Sequence, residues 1–343
     1  RNAVSGYIEK RQGLSYVAND VLISGGARPL IYSAYRTLVN RGEKVIFPIP
    51  SWNNNHYTYL NAADTIAIET KPENRFLPTA DELKPHLADA ALIALCSPLN
   101  PTGTSFSRDG LSEICDLILE ENRKRVEKKP LYLLYDQIYW ALTHGDTKHV
   151  DPVSIRPEMH EYTVYVDGIS KAFAATGVRV GWAFGPNHVI QKMKSLLSHV
   201  GAWAPKPEQI ATARFLNNES AVEEVIQKHR SMIFERVDRL YDGFQNLKQE
   251  GFPVDAIRAG GAMYLTVKID LIGSSSAQEE VFNDAKDVTM FLIREAKTGI
   301  VPFYCFGASR QSPWFRISVG TLKAENIPVV IENLRMALSY FRK

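Results

Sequence analysis

The chain has 343 residues, 45% hydrophobic and 23% charged, which is ordinary globular composition with room for about two domains. Its 40 Lys and Arg against 38 Asp and Glu leave a net charge of +2, without the basic excess of a dedicated nucleic-acid binder. No apolar run approaches the ~18 residues of a membrane span, and Cys96, Cys115 and Cys305 are too few and scattered for a disulfide framework or a zinc site, so a reducing, cytoplasmic setting is expected.

The chain opens at Arg1 in a polar stretch, RNAVSGYIEKR, patterned like the middle of a helix. The turn SGGAR (24–28) leads into an amphipathic helix from Pro29 to Val39. Short apolar, β-rich runs then recur: KVIFPIP (44–50), TIAIET (65–70), ALIALCS (91–97), LYLLYD (131–136), TVYVDGIS (163–170) and VRVGWAFG (178–185). Helical stretches from Thr79 to Leu87 and from Arg108 to Val126 separate some of them. Continuous apolar runs suit strands buried on both faces, and their alternation with helices predicts an α/β fold with a mostly parallel sheet flanked by helices. From about residue 205 the rhythm changes. A long helix is predicted from Glu219 to Gln249, then strands PVDAI (253–257) and AMYLTVKI (262–269). A helix (280–297), a short strand, the strand WFRISVG (314–320) and a last helix (324–341) follow. The expected division is a large domain over 1–205, a connecting helical region over 206–245 and a small C-terminal α+β domain over 246–343.

Ligands of open α/β sheets bind beyond the carboxyl ends of the strands, so the residues following each apolar run are the candidates. Ser51 and Trp52 follow the first run, and PLNPTGT with Asn100 follows ALIALCS. Asp136 ends LYLLYD, with Gln137, Ile138 and Tyr139 after it, and Ser170 and Lys171 follow TVYVDGI. Each has an ordinary reading taken alone. NPTG is a common turn, a strand-ending Asp is often a helix cap, a Lys is usually a solvated charge, and a Trp beside a Pro is usually packing. Their order and spacing lift them above that.

Jointly, NPTGT (100–104), YDQIY (135–139), GISKAFAATGVRVGW (168–182) and FRIS (315–318) resemble the aspartate aminotransferase superfamily of pyridoxal 5′-phosphate enzymes, the fold type I aminotransferases. The resemblance covers about residue 3 to the C-terminus and implies that family's large domain with a smaller C-terminal domain. It implies that Lys171 forms the Schiff base with the cofactor aldehyde and moves a proton, for which its pKa must fall. Asp136 resembles the aspartate facing the pyridine nitrogen, where a carboxylate keeps that nitrogen protonated. Tyr139 and Asn100 resemble the two donors to the cofactor's phenolate oxygen. Trp52 is placed like the aromatic stacked on its ring. Arg179 resembles the arginine that pairs with the phosphate, and the backbone N–H groups of Ala27 and Arg28 stand at a helix N-terminus suited to the same dianion. Arg316 resembles the arginine that grips the substrate α-carboxylate. Two positions depart from the pattern. Gly168 stands where the family usually has a phosphate-binding Ser, so a rearranged phosphate cup is expected with Ser170 taking part of the role, and Gln137 replaces a Glu with little consequence.

Substrate choice is less legible. Arg28 aligns with a position where one branch of the family has a lysine reaching the substrate's distal carboxylate, which suggests an acidic amino donor such as aspartate with 2-oxoglutarate as acceptor. Arg28 could equally point at solvent, and Trp140, His56 and Tyr57 could favour a bulkier amino acid. The resemblance implies a ping-pong transaminase acting on small amino and 2-oxo acids as a homodimer, with no nucleic-acid or membrane partner. A β-eliminating lyase or decarboxylase on the same scaffold is the alternative, and a ligand-sensing module is disfavoured by the absence of a winged-helix pattern. In the family a further segment precedes the helix at Arg1 and supplies an N-terminal arm and a substrate lid, so a chain without it is expected to bind cofactor but to transaminate poorly.

Overall fold

The computed structural model describes residues 1–277 and 279–342. Seven strands form the larger sheet: β1 (Val21–Ser24), β2 (Lys44–Ile49), β3 (Asp64–Glu69), β4 (Ala90–Cys96), β5 (Tyr132–Asp136), β6 (Thr163–Gly168) and β7 (Gly181–Phe184), in the order β1-β7-β6-β5-β4-β2-β3. β3, β2, β4, β5 and β6 run parallel, whereas β7 runs antiparallel to both β6 and β1. The six runs read from the sequence are strands β2 to β7. β4 and β6 are buried along almost their whole length, as continuous apolar runs require, while the edge strand β3 is mostly exposed. β1 was not anticipated. Its four residues are too short a run to stand out, yet they deliver the SGGAR turn to the sheet edge by pairing Ser24 with Gly181.

Both faces of this sheet are covered. On one, Leu30, Ala34 and Tyr35 of the helix Ala27–Leu38 and Ile190 and Met193 of the helix Asn187–Val200 pack with Phe47, Leu92, Leu134 and Val166. On the other, Ile8 of the helix Asn2–Gln12 and Ile114 and Ile118 of the helix Arg108–Lys124 pack with Ile93, Leu133 and Trp182. The i, i+4 spacing of Ile114 and Ile118 makes that stripe, and the Ser107 side chain starts the helix by accepting the Gly110 N–H at 3.1 Å.

The region expected as connecting and helical holds two helices, Lys206–Leu216 and the 31-residue Glu219–Gln249, the second with the bounds read from the sequence. Asn217 and Asn218 separate them, and the Asn218 side chain caps the second helix by accepting the Ala221 N–H at 3.2 Å. A four-stranded antiparallel sheet follows, β8 (Val254–Ile257), β9 (Tyr264–Ile269), β10 (Val301–Pro302) and β11 (Trp314–Ser318), in the order β10-β11-β9-β8.

The two sheets meet at the NPTGT turn. The Gly260 and Gly261 N–H groups donate to the Gly103 carbonyl at 2.8 and 3.0 Å, and the Thr266 hydroxyl donates to the Thr102 carbonyl at 2.9 Å. Gly103 has φ +71°, and a Cβ there would lie 2.3 Å from the Tyr264 carbonyl oxygen, so both the backbone conformation and the close approach require glycine. The turn that carries Asn100 is thereby seated on the small sheet.

Candidate active site

A cavity of about 670 Å³ opens beyond the carboxyl ends of β4, β5 and β6, between the two sheets. Ala27, Arg28, Trp52, Asn100, Asp136, Tyr139, Ser170, Lys171, Arg179 and Arg316 all line it. Parallel strands in register bring the first of these together, since Cys96 at the end of β4 lies beside Asp136 at the end of β5.

Asp136 accepts the Ile138 N–H at 3.0 Å. Burial pushes its carboxyl up to about 6, against the opposing pull of that N–H and of the Lys171 charge. Lys171 lies beyond the end of β6, its amine 6.0 Å from the centre of the Tyr139 ring. Burial holds its pKa below the ordinary lysine value, and the cationic Arg28 and Arg316 lower it further, more than Asp136 restores. The amine is therefore biased toward the neutral, nucleophilic form.

Arg316 projects from β11 and donates to the Asn100 side-chain oxygen at 2.9 Å. Its guanidinium carbon is 4.7 Å from the ring centres of both Tyr264 and Phe306 and 6.0 Å from that of Trp52. Its Nε is buried without a hydrogen-bond partner, a donor left for a ligand. Arg28 is exposed, borders the cavity and stands 5.8 Å from the centre of the same Trp52 ring.

Arg179 adopts a left-handed backbone, φ +59°, and donates to the carbonyls of Thr176 at 2.9 Å and Gly25 at 2.8 Å. This fixes its guanidinium against the SGGAR turn, where a Cβ on Gly26 would lie 2.2 Å from Arg179 Nη2. Gly26 also leaves the N-terminus of the helix Ala27–Leu38 without a side-chain cap, so its first N–H groups stay available to an anion. Gly168 has a packing reason. A Cβ there would lie 2.9 Å from both Gly181 Cα and the Val180 carbonyl oxygen, so β7 excludes a serine side chain. Ser170 and Thr176 line the cavity nearby, and the Thr176 hydroxyl donates to the Ser170 carbonyl at 2.9 Å.

Trp140, His56 and Tyr57 do not line this cavity. Trp140 turns to the other face and donates its indole N–H to Asp167 at 2.8 Å, while Tyr57 packs on Tyr35 with ring centres 5.5 Å apart. Gln137 is buried away from the site against Gln12 and His149. Sequence reasoning missed Cys96, Thr176, Tyr264 and Thr321. Thr176 lies inside a motif already read, but Tyr264 sits in a generic apolar strand with no local signal.

A carboxylate at the cavity floor, a lysine of lowered basicity, an aromatic face and a helix N-terminus beside an arginine match the donor set that a phosphorylated pyridine aldehyde requires. Residues 1–334 match the aminotransferase class I and II family. An aspartate aminotransferase of Bacillus sp. strain YM-2 is 28% identical over 324 residues, covering 94% of this chain and 77% of its own. A bifunctional aspartate aminotransferase and glutamate/aspartate-prephenate aminotransferase of Petunia hybrida is 29% identical, with 98% and 68% covered. A solved structure of a tetra mutant of the Thermus thermophilus aspartate aminotransferase superposes with a TM-score of 0.85 at 25% identity, covering 98% of this chain and 85% of that one. The chain belongs to the class I and II aminotransferase family. It is a transaminase of the pyridoxal phosphate-dependent α/β fold.

Proposed function

We propose that the enzyme takes the amino group of an acidic L-amino acid, aspartate foremost, and passes it to a 2-oxo acid such as 2-oxoglutarate in a ping-pong cycle. The observation that carries this reading is the pair of guanidiniums, Arg28 and Arg316, set 5.8 and 6.0 Å from the one Trp52 ring and both acting on the Lys171 amine. Two forks in one cavity suit a dicarboxylate, with the Arg316 edge for the α-carboxylate and Arg28 for the distal one.

Bound pyridoxal phosphate supplies an aldehyde and a ring that accepts electrons. The residues divide the remaining work. Arg179, Ser170 and the amides of Ala27 and Arg28 hold the phosphate. Asp136 keeps a proton on the ring nitrogen, and Tyr139 and Asn100 donate to the ring oxygen. Trp52 covers the ring face. The Lys171 amine anchors the aldehyde and then moves a proton at the substrate Cα. Three unpaired cysteines are in keeping with a reducing, cytoplasmic setting. Tyr59 and Leu60, 84% and 57% exposed, together with the exposed Trp203 beside the SGGAR turn, suit a homodimer contact near the site.

Steady-state comparison of aspartate with tyrosine, alanine and kynurenine tests the substrate. Aspartate should lead in kcat/KM, and Arg28→Ala should erase that lead. An aspartate preference unchanged in Arg28→Ala would remove Arg28 from the reading. Release of pyruvate and ammonia without an oxo-acid acceptor would replace transfer by elimination. A monomeric active species in sedimentation would exclude the dimer.

A further inference from the structure

Tyr264 opens β9 and belongs to none of the motifs that define the site, yet it is buried at the cavity wall and touches two of its working side chains. Its hydroxyl lies 2.6 Å from the Tyr139 hydroxyl, and the two rings meet edge to face at 5.6 Å. Its ring centre is 4.7 Å from the Arg316 guanidinium. Its carbonyl oxygen is the atom that a Cβ on Gly103 would strike, so the turn bearing Asn100 rests on it as well.

We propose that Tyr264 is a positioning residue that aims the Tyr139 hydroxyl and the Arg316 guanidinium from a single side chain. This rests on the roles given above to those two residues. The hydroxyl and the ring do separable work. One proton lies in the short bond between the two phenols. When Tyr139 donates into the cavity, its oxygen must accept, and Tyr264 is the donor beside it. A chain of two hydrogen bonds is stronger than its members apart, so Tyr264 strengthens the donation by Tyr139. The ring acts on Arg316. Tyr264 and Phe306, both at 4.7 Å, hold the guanidinium by cation–π contact, which engages none of its N–H donors.

The test uses the enzyme loaded with pyridoxal phosphate and follows the pH midpoint of the bound cofactor's visible absorption band, alongside maleate binding. Donation to the ring oxygen favours its ionised form, so weaker donation raises the midpoint. Tyr264→Phe keeps the ring and should raise the midpoint by roughly 0.3–1 pH unit while leaving the maleate dissociation constant within about twofold. Tyr264→Leu should raise the midpoint equally and weaken maleate binding about 3- to 30-fold. Added to Tyr139→Phe, Tyr264→Phe should shift the midpoint no further. Three results would overturn the proposal: an unmoved midpoint in Tyr264→Phe, an equal shift with Tyr139 already removed, or unchanged maleate binding in Tyr264→Leu. Failure of the underlying reading looks different, because then Tyr139→Phe itself leaves the midpoint in place.

Discussion

The two sheets bring different kinds of group to one cavity. From the ends of the parallel strands come Asp136 and Lys171, whose ionisation the fold displaces, the carboxyl up to about 6 and the amine downward. From the antiparallel sheet come Arg316 and Tyr264, held by an amide oxygen and by aromatic faces. Burial acts on both sets, but an arginine keeps its charge where a carboxylate and a lysine change theirs. The parallel edge is thus built to exchange protons, and the antiparallel sheet to hold a fixed charge in a fixed direction. Substitutions of Asp136 and Lys171 should act on turnover, and those of Arg316 on substrate affinity.

The largest expected effect tests the first half of that division. Lys171→Ala removes the amine that anchors the aldehyde and carries the proton, and kcat should fall by about 10⁴-fold or more. Single-turnover absorbance measurements would check it, and a loss confined to KM would break the comparison. Asp136→Asn keeps an oxygen to accept the Ile138 N–H but removes the charge, and kcat should fall by ~10³-fold with substrate affinity changed little. On the other side, Arg316→Lys retains a cation and loses the fork. Its kcat/KM for aspartate should drop about 100-fold, mostly through KM, while pyridoxal phosphate binding in equilibrium titration stays within about twofold. Equal losses of cofactor and substrate affinity would show that the sheets do not divide the work.

That division also separates what the sequence made legible from what it hid. β4, β5 and β6 are largely apolar runs, Asp136 closes β5 and Lys171 follows β6 by three residues, so both stand where the apolar pattern stops and their joint order and spacing mark them. Arg316 was found through its motif, although 145 residues separate it from Lys171. Tyr264 had no such mark, because an aromatic at the head of a strand reads as core and only the docking of β9 on the NPTGT turn turns it toward Tyr139. The strand β1 escaped for a related reason, since four residues carry too little periodicity to stand out. The exclusion of a side chain at Gly168 likewise depends on an antiparallel neighbour that no local pattern announces.

The smallest expected effect concerns stability and belongs to the parallel edge alone. In the protein without cofactor, the Asp136 carboxyl titrates at about 6, above its ordinary value of 3.8. The folded state therefore binds this proton more tightly than the unfolded chain does. The resulting stabilisation is fully present below about 3.8 and is lost as pH rises through 6. Asp136→Asn cannot ionise and escapes the loss. Denaturant unfolding should find the two proteins similar near pH 4 and the variant more stable by roughly 1–3 kcal/mol near pH 8, the upper figure reduced because the carboxyl faces an open cavity. Cofactor should reverse the order, since a protonated ring nitrogen would give the wild-type carboxylate a cationic partner in addition to the Ile138 N–H. If Asp136→Asn were the less stable apoprotein at pH 8, the Ile138 N–H and Lys171 would outweigh burial of the carboxylate, and its readiness for a cofactor would lose this support.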